Sequence, residues 1–373
     1  MYRENLYSYP VTFKPRTPVD IRAVAKRAGV SIATVSRAMN GITTVDEELA
    51  ARVIKAAAEL NYTPNTQARA LVSGRSGMIG LIVSEITNPF FPELIQSFED
   101  SAVKRGYEVL IGSTNYSAER MMQCVRRMVE RMVEGVAVMT FGMDEDLVQQ
   151  MVARRIPVVS IGSKKNIEGA SSLQVDFRRG LHEAVQHLAV IGHRKIAFIS
   201  GPLSLDSARQ RQKAFLEAMR SITTPVPPQF VVEGDHTMEG GFASAEKLLS
   251  LKEKPTAVVC SNDMTAIGVL HAVSGRGLKV PDDISIVGFD DIHMAQFTVP
   301  PLTTIRMACS DLATAALDAL LHNSTEAARK FEATRMIPTR LIVRQTSGYP
   351  RQHAVKPTKS ATKKASTRAV SAD

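Results

Sequence analysis

The chain has 373 residues, 44% of them hydrophobic and 22% charged, with a formal net charge of +9. That composition excludes collagen-like, low-complexity and disulfide-stapled classes and describes a globular chain long enough for more than one domain. The positive balance favours an anionic partner, nucleic acid or a membrane surface, while no run of about 18 or more apolar residues marks a bilayer span.

Residues 1–18 hold Pro10, Pro15 and Pro18 among polar and aromatic residues and read as a loose leader. Asp20 then offers a carboxylate to the unpaired N–H groups that open a helix. Ile21, Val24, Ala25 and Ala28 follow at helical spacing, and Gly29 permits the turn that ends them. Ser31 caps a second helix, Ile32 to Met39, which stops at Asn40-Gly41. Asp46 caps a third, whose Leu49, Val53, Ala56, Ala57 and Leu60 share one face. This is the layout of a helix-turn-helix, and the pattern alone is equally that of a plain helical bundle. Arg22, Lys26, Arg27, Arg37, Arg52, Lys55, Arg69 and Arg75 give the segment a basic surface, and Ser73-Gly74-Arg75-Ser76-Gly77 reads as a linker.

Beyond Met78, apolar runs alternate with amphipathic helices. Strands are expected at 79–83, 108–111, 135–140, 157–161, 195–199, 230–232, 257–260 and 285–287. Helices are expected near 91–105, 118–133, 145–154, 177–190, 207–219, 239–251 and 263–274. Buried strands alternating with helices imply parallel sheets covered on both faces, and two such series imply two lobes with a cleft between them. Ligands of such sheets sit at the carboxyl ends of the strands. Residues 351–373 carry Lys356, Lys359, Lys363, Lys364 and Arg368 with little apolar content and read as a disordered basic tail. Cys124, Cys260 and Cys309 form no C-x-x-C pair, so neither a disulfide framework nor a zinc site is expected. The N-terminus has no apolar signal core, and a cytoplasmic protein is expected.

Ile21-Arg22-Ala23-Val24-Ala25-Lys26-Arg27-Ala28-Gly29-Val30-Ser31-Ile32-Ala33-Thr34-Val35-Ser36-Arg37 closely resembles the head of the lac repressor/galactose repressor family. So does Ala58-Glu59-Leu60-Asn61-Tyr62-Thr63-Pro64-Asn65, followed by Ala68 and Leu71. The resemblance continues to about Gly348. It implies an α/β protein with an N-terminal all-α helix-turn-helix head and hinge helix, then a two-lobed, periplasmic-binding-protein-like body with parallel sheets. The implied division is a leader at 1–18, a DNA-binding head with hinge helix at 19–76, an effector-binding and dimerisation body at 77–350 and the tail at 351–373. It also implies that the chain crosses between the lobes more than once.

In a helix-turn-helix the second helix enters the major groove with its N-terminal residues toward the bases. Ile32 and Ala33 then face base edges, where an apolar side chain can meet a thymine methyl. Arg37, one turn on, has the fork to reach guanine O6 and N7 or a phosphate. Ser31, Thr34 and Ser36 suit phosphate and sugar contacts that fix register. Asn65 can cap a further helix carrying Ala68 and Leu71. The resemblance implies that this hinge helix pairs with its copy in a homodimer and wedges Leu71 into the minor groove. The expected partner is a near-palindromic double-stranded operator.

Asn88-Pro89-Phe90-Phe91 lies just past the first body strand, where an amide beside aromatic faces suits a ligand with hydroxyls and a ring or apolar face. A helix start with two core phenylalanines is the alternative. Ser207, Arg211, Asn262 and Asp290 lie past later strands. The resemblance assigns Arg211 to ligand oxygens and Asp290 to a hydroxyl or ring N–H. His236 stands where relatives often place a stacking ring, and Gly162-Ser163-Lys164-Lys165 replaces an acid-base pair of the ribose-type pattern. With Arg211, the added His and Lys suggest an acidic ligand such as a sugar acid or phosphorylated sugar. Asp176 matches a family aspartate near the cleft and equally suits a helix cap.

The expected function is a sequence-specific transcription regulator, a repressor on family grounds, controlled by a small-molecule effector such as a sugar, sugar acid or related metabolite. No cofactor or metal is expected. The alternatives are a regulator that senses a partner protein instead of a small molecule, and a sugar-binding transport component. An enzyme is not expected: the sequence has no G-x-G-x-x-G, G-x-x-x-x-G-K, G-x-S-x-G or H-E-x-x-H.

Overall fold

The computed structural model describes residues 19–40, 44–63, 75–140, 145–162, 169–322 and 334–351. The expected leader, the hinge residues Asn65, Ala68 and Leu71, the Ser163-Lys164-Lys165 stretch and the tail beyond Arg351 lie outside them. The chain divides into two compact units, Met1–Gly77 and Met78–Asp373.

The first unit holds α1 (Ile21–Ala28), α2 (Ile32–Met39) and α3 (Glu47–Glu59). Each starts on a side-chain cap: Asp20 accepts from the Arg22 N–H, Ser31 Oγ from the Thr34 N–H at 3.1 Å, and Asp46 from the Glu48 and Leu49 N–H groups at 3.0 and 3.3 Å. Gly29 ends α1 at φ 63°, the left-handed turn the sequence called for. Arg52 of α3 donates from Nη2 to the Ala28 carbonyl at 2.6 Å, so α3 satisfies an unpaired oxygen of α1. Val24, Val35 and Val53, one from each helix, are completely buried and form a small core with Ala25, Ala28, Ala56 and Ala57.

The second unit runs β1 (Met78–Val83), α4 (Phe90–Val103), β2 (Glu108–Ser113), α5 (Ala118–Glu130), β3 (Val136–Met139), α6 (Glu145–Ala153), β4 (Val158–Ile161) and β5 (Ala170–Asp176). It continues with α7 (Phe177–Val190), β6 (Ile196–Ser200), α8 (Asp206–Ser221), β7 (Val231–Glu233), α9 (Met238–Leu249), β8 (Ala257–Cys260), α10 (Asp263–Gly275), β9 (Ser285–Asp290), β10 (Thr303–Met307), α11 (Cys309–His322) and β11 (Thr334–Ile342). The strands lie in the order β2-β1-β3-β4-β5-β11-β10-β9-β8-β6-β7. All neighbours pair in parallel except β10 with β11. β3, β4, β6, β8 and β9 are buried throughout, as a parallel sheet between two helical layers requires.

β11 joins the lobes. Its Thr334–Pro338 portion pairs with β5 of the first lobe, and Thr339–Ile342 pairs with β10 of the second. The chain also crosses from β5 into α7 and from β10 into α11, giving three crossings. They meet at Gly180, whose N–H donates to Thr339 Oγ1 at 2.9 Å while that hydroxyl donates to the Asp176 carbonyl at 2.6 Å. A Cβ on Gly180 would collide with Ile305 and Thr339, so glycine is what lets α7 lie against the crossing strands. The sequence reading missed β5, β10, β11 and α11. β5 and β11 mix Ser, Gln, Arg, Thr and Pro into their runs, because strands at a lobe junction serve two environments instead of one continuous core.

Candidate functional sites: a DNA-reading face and an inter-lobe cleft

In the head, the N-cap Ser31 and Ile32, Ala33 and Arg37 of α2 are exposed, Thr34 and Ser36 are half-buried, and Val35 turns into the core with Ala38 and Met39 packed beside it. Ile32 is 46% exposed although it is apolar and a helix start, which leaves it free to meet a base edge. The Ser31 and Thr34 hydroxyls lie 2.9 Å apart, one donating to the other, and brace the start of α2. Arg27 is committed elsewhere: Nε and Nη2 reach Glu59 Oε2 at 2.7 and 2.6 Å. Of the expected arginines in the described head, Arg27 and Arg52 thus hold α1 against α3, and Arg37 projects from the last turn of the reading helix.

In the body, all eight residues expected at the cleft line one pocket together with Tyr116, Leu205 and Met307; its ≈ 390 Å³ of empty space includes open solvent, and the room for water-sized occupants is ≈ 30 Å³. The first lobe supplies Asn88, Phe90 and Phe91 at the start of α4. Asn88 Oδ1 accepts from the Phe90 N–H at 3.1 Å, and the two rings meet edge to face with centroids 5.4 Å apart. Both rings are nearly buried, so they serve the core and the cavity wall together. Tyr116 follows β2 on a turn with φ 57° and donates to Glu85 Oε1 at 3.2 Å.

The second lobe supplies the charged groups. Arg211 of α8 is 4% exposed. Its guanidinium stacks over Phe289 at 4.3 Å and Phe177 at 5.0 Å from the ring centroids. Nη1 donates to the Ser261 carbonyl, and Nη2 stands 3.6 Å from Asp290 Oδ1, beyond hydrogen-bond length. Burial pushes the Asp290 carboxyl up to about 7, partly opposed by Arg211. Burial, with Arg211 adding to it, holds the His236 ring down to about 3. His236 is therefore neutral near pH 7 and brings no positive charge to the cleft, contrary to its expected contribution toward an acidic ligand. Asn262 faces the cleft but its amide is engaged: Oδ1 caps α10 through the Thr265 N–H at 2.9 Å, and Nδ2 donates to the His236 carbonyl at 2.9 Å. It thereby fixes His236, which sits at φ 69° with its ring packed where a Gly201 side chain would be. Asp176 caps α7 through the Arg179 N–H at 3.1 Å and does not line the cavity.

Three buried atoms at this cleft, Arg211 Nε, His236 Nε2 and Asp290 Oδ1, have no hydrogen-bond partner among the described residues. Leaving such atoms unpaired is costly, so the set fits a ligand that offers both acceptors and donors beside aromatic walls. Tyr116, Leu205 and Met307 escaped sequence reading because none stands in a recognisable motif.

Residues 20–65 match the family profile of bacterial regulatory proteins of the lacI family, and residues 185–347 match the periplasmic binding protein-like domain. HTH-type transcriptional repressor PurR of Actinobacillus pleuropneumoniae is 35% identical over 301 residues, covering 81% of this chain and 90% of the relative. Catabolite control protein A of Priestia megaterium is 33% identical over 301 residues, covering 80% and 90%. The chain belongs to the lacI family. This lacI-family protein also shares its fold with the lac repressor dimer bound to operator and the anti-inducer ONPF, with a TM-score of 0.79 and 29% identity over 89% of this chain and 99% of that one. A transcriptional regulator CelR–cellobiose complex aligns at a TM-score of 0.66 and 25% identity. The lacI-family chain is thus a DNA-binding transcription regulator whose periplasmic-binding-protein-like body carries effector control.

Proposed function

We propose that this protein represses transcription by binding a near-palindromic operator as a homodimer, and that a small metabolite between the lobes sets how tightly it binds. The observation that carries the effector site is the buried trio of Arg211, His236 and Asp290 atoms awaiting partners beside Phe90 and Phe91. Ser207 and Asn88 add polar atoms to the same cavity. With Arg211 already facing Asp290 and His236 neutral, the described cleft favours an uncharged sugar or ring N–H metabolite over a sugar acid. Ser31, Ile32, Ala33, Thr34, Ser36 and Arg37 are assigned to the major groove, and Asn65, Ala68 and Leu71 to the minor groove. Residues 19–76 form the DNA-binding part and 77–350 the effector and dimerisation part.

The homodimer reading is supported by an apolar face on the second lobe. Met238 and Phe242 of α9 are 39% and 38% exposed and line a groove with Ile267 and His271 of α10. Phe297 and Val299 are exposed as well. Monomeric proteins seldom leave large apolar patches uncovered.

We read the protein as a binding regulator without turnover, acting where the chromosome lies, in the cytoplasm. Thermal unfolding across a panel of sugars, sugar acids and nucleobases tests the effector site, since a ligand in excess over its Kd must raise stability. A rise with a neutral sugar or nucleobase supports the reading. No shift with any compound contradicts it, and turnover of a compound would favour an enzyme.

A further inference from the structure

The loop after Asp290 is tied to the opposite lobe by one side chain. Glu93, in the first turn of α4, accepts from the His293 backbone N–H at 2.7 Å. α4 is the helix whose first residues, Phe90 and Phe91, wall the cleft, and His293 lies in the short turn His293–Gln296 beyond Asp290 and Asp291. The contact therefore joins a first-lobe cavity helix to a second-lobe cavity loop.

That loop is held firmly on its own side. Asp290 and Asp291 have φ 110° and 61°. Asp263 Oδ2 accepts from the Ile292 N–H at 2.9 Å. Asp291, whose side chain is 4% exposed, accepts from Arg306 Nε at 2.5 Å and from Arg344 Nη2 at 2.6 Å. The loop consequently moves with the second lobe as a rigid piece. A hydrogen bond from it to Glu93 forms only at one separation of the lobes, and because the donor is backbone, the contact depends on lobe position and not on the side chain at 293. The Glu93 charge is felt at Asp290, where it adds to the rise that burial gives the carboxyl pKa, although Glu93 itself does not line the cavity.

We propose that Glu93 is a positioning residue for effector control: by holding the His293 N–H it fixes the lobe separation at which the cleft residues converge, and so links cleft occupancy to operator binding. This rests on the reading of the cleft as the effector site. A site competent only in one lobe arrangement binds with an affinity scaled by the population of that arrangement, so removing the contact changes both occupancy and output.

The test uses the full chain in three forms: parent, Glu93→Ala and Glu93→Gln. Glutamine keeps an acceptor oxygen and serves as the folding-matched control. Hydrogen exchange of the segment 291–297 reports the contact, and anisotropy with a duplex selected from a random pool by the parent reports output. Glu93→Ala is expected to speed exchange at His293 and to change operator affinity by about fivefold or more, the lower end of ordinary allosteric coupling. Glu93→Gln is expected to remain near the parent in both. Faster exchange in Glu93→Ala with unchanged operator affinity would make the contact merely structural and overturn the proposal, as would unchanged exchange. The cleft reading itself is judged separately, by the ligand-dependent melting of the parent alone.

Discussion

Arg211 Nη2 and Asp290 Oδ1 face each other 3.6 Å apart with side chains only 5% and 6% exposed, near enough to compensate charge and too far to hydrogen-bond. Arg211 Nε and Asp290 Oδ1 have no hydrogen-bond partner among the described residues. A ligand with vicinal hydroxyls, or a ring bearing a donor beside an acceptor, can bridge such a pair with a hydrogen bond to each member. On the proposed reading of the cleft, the pair serves stability and recognition together.

Removing one member of a buried ion pair leaves the other uncompensated, at a cost of about 3–5 kcal/mol. Arg211→Met is expected toward the lower end, because Asp290, with its pKa already at about 7, can accept a proton and lose its charge. The double variant Arg211→Met with Asp290→Asn should recover part of the loss. Urea unfolding of the full chain measures both; additive losses in the double variant would show that the two groups do not interact.

The pH dependence of Asp290 has a definite sign. Its carboxyl rises from 3.8 to about 7 on folding, so the folded state binds more protons than the unfolded state between those values. Stability from this group therefore falls as pH rises from about 4 to about 7. His236 moves the opposite way, from 6.5 to about 3, and its contribution grows as pH rises through that range. The difference in unfolding free energy, Asp290→Asn minus parent, should therefore increase between about pH 4 and pH 7. A flat difference would contradict the assignment.

Gly180 is expected to tolerate no side chain. Gly180→Ala drives a methyl into Ile305 and Thr339 where the lobes join, and overpacking of this kind costs about 1–3 kcal/mol or more. Thermal unfolding should show the loss. An alanine variant as stable as the parent would mean that the junction yields freely.

In the head, Arg37→Ala should weaken operator binding. If Arg37 reads a base, the loss is about 1–3 kcal/mol and preference relaxes at one base-pair position; if it holds a phosphate, affinity falls evenly across sequences and the salt dependence shallows. Competition titrations with single-base operator variants separate the two. Leu71→Ala should likewise weaken operator affinity while leaving the body folded.

The head and the cleft were legible to different degrees. Ser31, Gly29 and Asp46 announced helix boundaries because capping chemistry is local. Asn88, Ser207, Arg211 and Asp290 stood out because they follow apolar runs that read as strands, and the roles given to Arg211 and Asp290 came from the family resemblance. Tyr116 was not legible, since its place depends on a turn with positive φ at Asn115 and Tyr116 and not on any periodic pattern. Nor did the sequence disclose that burial keeps His236 neutral, or that Asn262 spends its amide on a cap and on the His236 carbonyl. Those properties arise from tertiary neighbours. The crossing strand β11 was missed for the same reason: it pairs with β5 in one lobe and β10 in the other, and its composition answers to both.

The most direct measurement of effector control over DNA reading is the affinity of the parent for its selected operator, with and without a compound that raises its melting temperature, repeated with Asp290→Asn. The account predicts a fivefold or larger change in the parent, typical of allosteric coupling at about 1–3 kcal/mol, and its loss in the variant. Operator affinity that ignores the bound compound, or a response that survives in Asp290→Asn, would contradict it.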